Sequence, residues 1–224
     1  MAQPVPARPI GLATELREAT RRIHAQAEKS LVMRRLMQGQ LARPAYCLLL
    51  RNLHAIYSAL EAAMDRHAAD PAVAAFWLPG LRRCGALEED LVALHGPWWS
   101  SELELQPAAR NYAARLGALG NARADLLPAH AYVRYLGDVS GGRLLEPVVA
   151  RSIGLGGNTG TAFYRFGTPE ETRALTRAFR AALEAVGARD PRIPELVAEA
   201  RSAFDMHLAL FDELASAAGF FAEP

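Results

Sequence analysis

Residues 12–37 read LATELREATRRIHAQAEKSLVMRRLM, and their apolar members decide the fold class. Leu12, Leu16, Ala19, Ile23, Ala27 and Leu31 fall three or four residues apart, the interval that lines one side of an α-helix. Runs rich in alanine and leucine, with few β-branched residues, favour helix throughout the chain. The spacing predicts one helix from about Thr14 to Met37.

The same reading extends outward. Arg43-Pro44 opens a second helix, because proline suits the first helical position. Tyr46, Leu49, Leu50, Leu53, Tyr57, Leu60 and Met64 form its apolar stripe. Asp70-Pro71 is another start signal, Pro79-Gly80 interrupts, and residues 81–94 read as a third helix before His95-Gly96-Pro97. A fourth follows Pro107, with Tyr112, Leu116 and Leu119 inward. Residues 129–153 then carry apolar faces around three glycines, and GLGGNTG at 154–160 reads as a flexible connection. Thr168-Pro169-Glu170-Glu171 is a capping-box start for a helix to Val186, and Pro191 and Pro194 reset the chain for a last helix over 194–217. No repeat or linker divides this order, which predicts one all-α domain over residues 12–217 after a flexible lead at 1–11.

Composition narrows the function classes. The chain has 224 residues and is 51% hydrophobic, enough for one sizeable core, although alanine inflates that share. A net charge of +1, with arginines interspersed among acids, argues against nucleic acid as a partner. Lys29 is the only lysine, so basic roles fall to arginine, whose planar fork suits carboxylates. Cys47 and Cys84 lack a CxxC arrangement, which predicts free thiols in a reducing compartment. Neither a secretory run nor a membrane span is legible, so the expectation is a cytoplasmic protein with no membrane partner.

Two places carry chemistry. Arg17, Arg21, His24 and Glu28 share one side of the first helix, next to the apolar stripe. Such a boundary suits a flat ligand with an apolar plane and an acidic edge, with the imidazole of His24 free to bind iron and Glu28 able to act on the other ring nitrogen. The same spacing also fits a solvated stripe of ion pairs. The second place is the middle of AHAYVRYLGDVSGGRLLEPVV, residues 129–149, where Gly137, Gly141 and Gly142 interrupt a helical pattern. Each interior glycine costs a helix about 1 kcal/mol against alanine, so three invite a steric reason. A planar ligand approaching the backbone is one; a kink made for close helix packing is the other. Asp138, with Arg134 four residues before it, is placed to organise water and pass a proton during oxygen activation.

The sequence resembles the heme oxygenase family over nearly its whole folded length. The matching segments are LREATRRIHAQAEKSLVMRRLMQGQLARPAY (16–46), LHAIYSALE (53–61), LLPAHAYVRYLGDVSGGRLL (126–145), AFYRF (162–166), Phe179-Arg180 and SAFDMHLALFDEL (202–214). The resemblance implies a helical fold holding heme between a proximal and a distal helix. It implies oxidative ring opening of heme to biliverdin, carbon monoxide and ferrous iron, so that heme, with its iron, is both prosthetic group and substrate.

On the same ground His24 is the iron ligand, Glu28 belongs to its surroundings, Gly137, Gly141 and Gly142 form the flexible distal helix, and Asp138 organises distal water. Arg17, Arg21, Arg180 and Tyr132 match positions that hold the heme propionates, and Phe204 matches an aromatic wall residue. Ser140 and Arg143 share the distal segment without an assigned step. Thr176 stands where some relatives carry a basic residue, a departure that bears on heme seating. The implied partners are oxygen and a separate electron donor such as a ferredoxin or a reductase; the purpose is either bilin supply, with a bilin-accepting phytochrome as partner, or release of iron from heme. Two rivals remain at this point: a heme carrier or sensor that does not turn heme over, and a helical interaction protein whose pocket is core packing.

Overall fold

The expected helix over residues 14–37 divides in two. Helix α1 spans Leu12–Glu28 and α2 spans Leu31–Met37. Between them Ser30 adopts an extended ψ of 155°, and its hydroxyl accepts from the Met33 N–H at 3.3 Å. Serine is a poor interior helix residue and a good cap, because its oxygen satisfies an otherwise unpaired N–H. The three-and-four spacing continues through both pieces and hides the break.

The computed structural model describes residues 11–155, 159–187 and 190–220. The expected flexible lead falls outside them apart from Gly11, as do residues 156–158 of the expected flexible connection. Among the described residues there is no strand. Helix α3 runs over Arg43–Arg66 with Pro44 in its first turn, and every residue of the expected stripe from Tyr46 to Met64 is buried. The short α4 (Pro71–Ala74) starts at Asp70, whose carboxylate accepts from the Ala72 N–H at 2.8 Å. The expected third helix is a 3-10 turn at Pro79–Leu81 followed by α5 at Cys84–Leu94. A short α6 (Trp99–Glu102) precedes α7 (Pro107–Ala122), which buries Tyr112, Leu116 and Leu119.

The glycine-bearing stretch is one helical path in three parts: α8 at Leu127–Ala131, a π-helical turn at Tyr132–Leu136, and α9 at Gly137–Ser152. The irregularity therefore precedes the glycines rather than falling on them. A π turn adds a residue to the helical repeat and re-aims the side chains that follow. Helix α10 (Pro169–Ala185) begins with the expected capping box, Thr168 and Glu171 bonding each other's backbone N–H, and α11 covers Ile193–Ala217.

Helix α3 packs chiefly on α7 and α5, and α1 lies along α11, which also touches α7 and α8. A buried polar joint ties the last three. Glu199 of α11 accepts from His130 Nε2 of α8 at 2.8 Å and from Arg115 Nε of α7 at 3.0 Å, while Tyr112 meets His130 Nδ1 at 3.2 Å. Burial pushes the Glu199 carboxyl up, but the bonds from His130 and Arg115 outweigh it and bring it to about 2. Burial also lowers His130, so at neutral pH its ring donates as a neutral imidazole and the ionic part of the joint is Arg115. A depressed carboxyl stabilises the fold fully above its unfolded value and loses that contribution as pH falls through the folded one. Between about pH 4.5 and 2 the chain should lose on the order of 3 kcal/mol from this group. Urea melts across that range check it: Glu199→Gln should be destabilised at pH 7, with the gap to the parent closing towards pH 2.

Candidate functional site

Helix α1 sets His24, Ala27 and Glu28 against a cavity of about 220 Å³. Met33 and Leu36 of α2, and Leu49 and Leu53 of α3, continue the apolar lining. Phe204, His207 and Phe211 reach it from one face of α11 at three- and four-residue spacing. The remaining wall is Val133 and Arg134 of the π turn, then Gly137, Asp138, Gly141, Gly142 and Leu145 of α9, with Phe163 and Tyr164 beside them.

His24 stands at the mouth with its side chain 52% exposed, its ring edge-on to Phe204 at 5.8 Å between centroids. Its Nδ1 lies 3.6 Å from Glu28 Oε1, an ion-pair approach rather than a hydrogen bond. The ring is thus steered by one carboxylate and one phenyl edge. Among the described residues, no three or more His, Cys, Asp or Glu side chains are grouped so that they could hold a metal ion.

The glycines on the other wall are not equivalent. A Cβ at Gly137 would meet nothing within 4 Å, and one at Gly141 would only reach Leu145 at 3.9 Å. A Cβ at Gly142 would lie 2.8 Å from the Tyr164 carbonyl oxygen. Gly142 therefore serves close packing of α9 on the 3-10 turn at Ala162–Tyr164, while Gly137 and Gly141 leave open space along the cavity. Close packing thus accounts for Gly142, while Gly137 and Gly141 leave space that it does not use. Gly142→Ala should destabilise the fold by roughly 1–3 kcal/mol through overpacking. Gly137 has helical φ and ψ of −64° and −48°, so Gly137→Ala should stabilise it by up to about 1 kcal/mol. Thermal melts of the two variants, moving in opposite directions, are the measurement.

Asp138 is 16% exposed on its side chain and accepts a short hydrogen bond at Oδ2 from the Tyr57 hydroxyl of α3. Arg134 Nη2 lies 3.8 Å from Oδ1, and its Nε donates to the same Tyr57 oxygen at 3.3 Å. Burial pushes the Asp138 carboxyl well above the ordinary range, so the site favours its protonated form. A carboxyl held in this way at a cavity wall can keep a proton that a solvated aspartate would lose.

Phe163 and Tyr164 are held in place from behind. The buried Asp90 carboxylate accepts from the Ala162 and Phe163 N–H groups at 2.7 and 2.8 Å, and Arg83 Nη1 donates to the Phe163 carbonyl at 3.1 Å and the Arg165 carbonyl at 2.7 Å. None of Asp90, Arg83 or Tyr57 was legible as a site residue. Each lies on a helix or turn far along the chain, and its only sequence signal is a polar group within an apolar pattern.

Of the residues singled out beforehand, His24, Glu28, Gly137, Asp138, Gly141, Gly142 and Phe204 line this cavity. Arg17, Arg21 and Arg180 are exposed outside its lining, on α1 and α10, which touch each other, and Tyr132 is half-buried in the π turn. Thr176 turns inward, its hydroxyl donating to the Thr172 carbonyl at 2.9 Å beside Leu81, Tyr135 and Phe179, and so adds nothing to a polar rim. His207, absent from the expected set, belongs to it. The row Phe204, His207, Phe211 is the signal that marks it.

Fold and site together define an all-helical protein with a largely apolar cavity, an imidazole on one wall and bare helix backbone on another. The heme oxygenase family model matches residues 10–213. The heme oxygenase of Rhodella violacea is 34% identical over 92% of this chain and 87% of its own length, and heme oxygenase 1 of Rattus norvegicus is 36% identical over 91% and 71%. Heme oxygenase-2 from Synechocystis sp. PCC 6803, solved in complex with heme and NO, superimposes with a TM-score of 0.89 at 33% identity, covering 95% of this chain and 88% of that one. The heme oxygenase from Leptospira interrogans gives 0.86 at 32% identity over 91% and 100%. The chain belongs to the heme oxygenase family.

Proposed function

We propose that this cavity binds heme with the His24 ring on the iron, and that the chain works as a heme oxygenase, opening the ring with oxygen. The observation that carries the reading is the pairing, in one cavity, of an accessible imidazole with two helical glycines whose missing side chains leave open space. The residues fit the group: the lining offers apolar and aromatic surface for a macrocycle and, in the half-exposed His24 ring, a nitrogen donor for its metal. Bound heme supplies the iron at which oxygen is activated, and is itself the substrate converted to biliverdin, carbon monoxide and ferrous iron.

The chain's own contribution is position and proton. With Nδ1 beside Glu28, Nε2 of His24 is the nitrogen presented to the metal, and the carboxylate favours the tautomer that leaves it free. Without side chains at Gly137 and Gly141, helix backbone could approach a bound ring and limit the space beside it. Asp138, supported by Tyr57 and Arg134, holds a proton at that wall for delivery through water. Arg17, Arg21 and Arg180, with Tyr132, form the polar edge for the propionates, the arginines from neighbouring helices outside the apolar lining. Phe204, edge-on to the His24 ring, adds an aromatic wall beside it.

Electrons come from a separate ferredoxin or reductase, the bilin passes to a partner such as a phytochrome, and the enzyme works in the cytoplasm. Among the described residues no helix is long and apolar enough to cross a membrane. The test is reconstitution with heme, then reductant under oxygen. Loss of the Soret band with a bilin in the extract is the expected result, and chromatography identifies the bridge attacked. A stable oxy-heme spectrum assigns a carrier instead; no binding at all overturns the site.

A further inference from the structure

His207 is a buried titratable group on the cavity wall that the reaction as described does not use. It sits on α11 with its ring 4.0 Å from that of Phe211, centroid to centroid. Arg134 Nη1 lies 2.9 Å from His207 Nδ1 and 3.5 Å from Nε2, so the guanidinium donates to the ring at its shorter approach, Nδ1. The same guanidinium reaches Tyr57 through Nε at 3.3 Å and approaches Asp138 through Nη2 at 3.8 Å. One planar cation therefore has its nitrogens divided between an acceptor on α11 and the pair that carries the distal proton. A guanidinium has no acceptor and a fixed fork, so pinning one nitrogen fixes the direction of the others.

We propose that His207 is a positioning residue for heme oxidation, its neutral ring accepting from Arg134 and so holding the guanidinium towards Tyr57 and Asp138. The proposal rests on the assignment of this cavity as the heme site. A ring whose Nδ1 accepts carries its proton on Nε2 and has no room for a second one while Arg134 faces it. Burial, with the Arg134 charge, lowers the ring well below its ordinary value and keeps it an acceptor at neutral pH.

The other groups around His207 do not compete for this role. Tyr57 of α3 and Asp138 of α9 stand on the far side of Arg134. From α1, His24 and Glu28 line a separate wall, and α2 brings only Met33 and Leu36 to the cavity. Tyr112 of α7 and His130 of α8 are occupied with each other and with Glu199. Protonating His207 would set two cations face to face, release Arg134, and leave Asp138 without its aligned neighbour. Protonating His207 would thus slow turnover through a residue that does not touch the reacting atoms.

Two variants and one spectrum test this. His207→Leu removes the acceptor; His207→Gln restores a neutral acceptor that cannot titrate. The Leu variant should bind heme within about twofold of the parent but turn it over at least about tenfold more slowly, the loss expected when a charge-assisted hydrogen bond goes. The Gln variant should regain most of the rate and lose less of it at acid pH than the parent does. In the protein without heme, the 15N shifts of the His207 ring should show an unprotonated Nδ1 from about pH 6 to 8. If the parent does not bind heme, the site itself is misassigned. If it binds and degrades heme and the Leu variant keeps pace with it, only the role of His207 falls. Should the Leu variant fail to fold, the ring spectrum decides: an imidazolium at neutral pH overturns the proposal, and so does a Gln variant that binds heme but regains none of the rate.

Discussion

His24→Ala should lose at least about a hundredfold in heme affinity or turnover, with a changed Soret band. The magnitude follows from comparison. Removing a group that merely orients a metal ligand costs about ten- to a hundredfold, so removing the ligand costs no less. Some heme binding should survive, because Leu49, Leu53, Phe204 and Phe211 still offer apolar surface to the ring. His24 is half exposed and makes no hydrogen bond shorter than its 3.6 Å approach to Glu28, so the substitution should leave the fold's melting temperature nearly unchanged. Glu28→Gln is the graded control and should cost about tenfold at most. Absorption titration with heme, beside single-turnover rates, reads both. Parent-like spectra and rates for His24→Ala would remove the iron ligand from the account.

Asp138→Asn should slow turnover by at least about a hundredfold while heme binds nearly as before, since general acid–base groups commonly supply a factor of about 10² to 10⁴. The sign of its stability effect is the opposite of the usual one. A carboxyl whose folded value is raised binds its proton more tightly folded than unfolded, so its ionisation opposes folding as pH rises above the unfolded value near 4. The amide keeps an oxygen to accept from Tyr57 and cannot ionise. The variant should therefore melt at or above the parent temperature at neutral pH, the gap shrinking below about pH 4. A variant both slower and less stable would show that Asp138 is a packing residue instead. Slower and more stable is the outcome of a functional strain placed at the cavity wall.

The distal region shows how far a linear reading reaches. Gly137, Gly141 and Gly142 stand out because glycine is costly in any helix, but the cost is the same for each and says nothing of what lies across the gap. Only the approach of Tyr164 separates Gly142 from the other two. Likewise Arg134 and Asp138 are legible as an i,i+4 pair, yet the hydrogen bonds to Tyr57 and His207 join residues 77 and 73 positions away. The break at Ser30 escaped because capping by one hydroxyl leaves the apolar period intact on both sides.

By itself the sequence determined the helical class, most helix starts, the buried stripe of α3, and the two segments that bring an imidazole and bare backbone to one cavity. These follow from interactions within a few residues: side-chain periodicity, proline and capping signals, and glycine's effect on helix. Tertiary structure decided which glycine packs and which leaves room, what holds Phe163 and Tyr164, and which groups surround the Asp138 carboxyl. The reason is that a buried polar group must find a partner wherever the folded chain brings one, and that choice depends on packing between helices rather than on spacing along one.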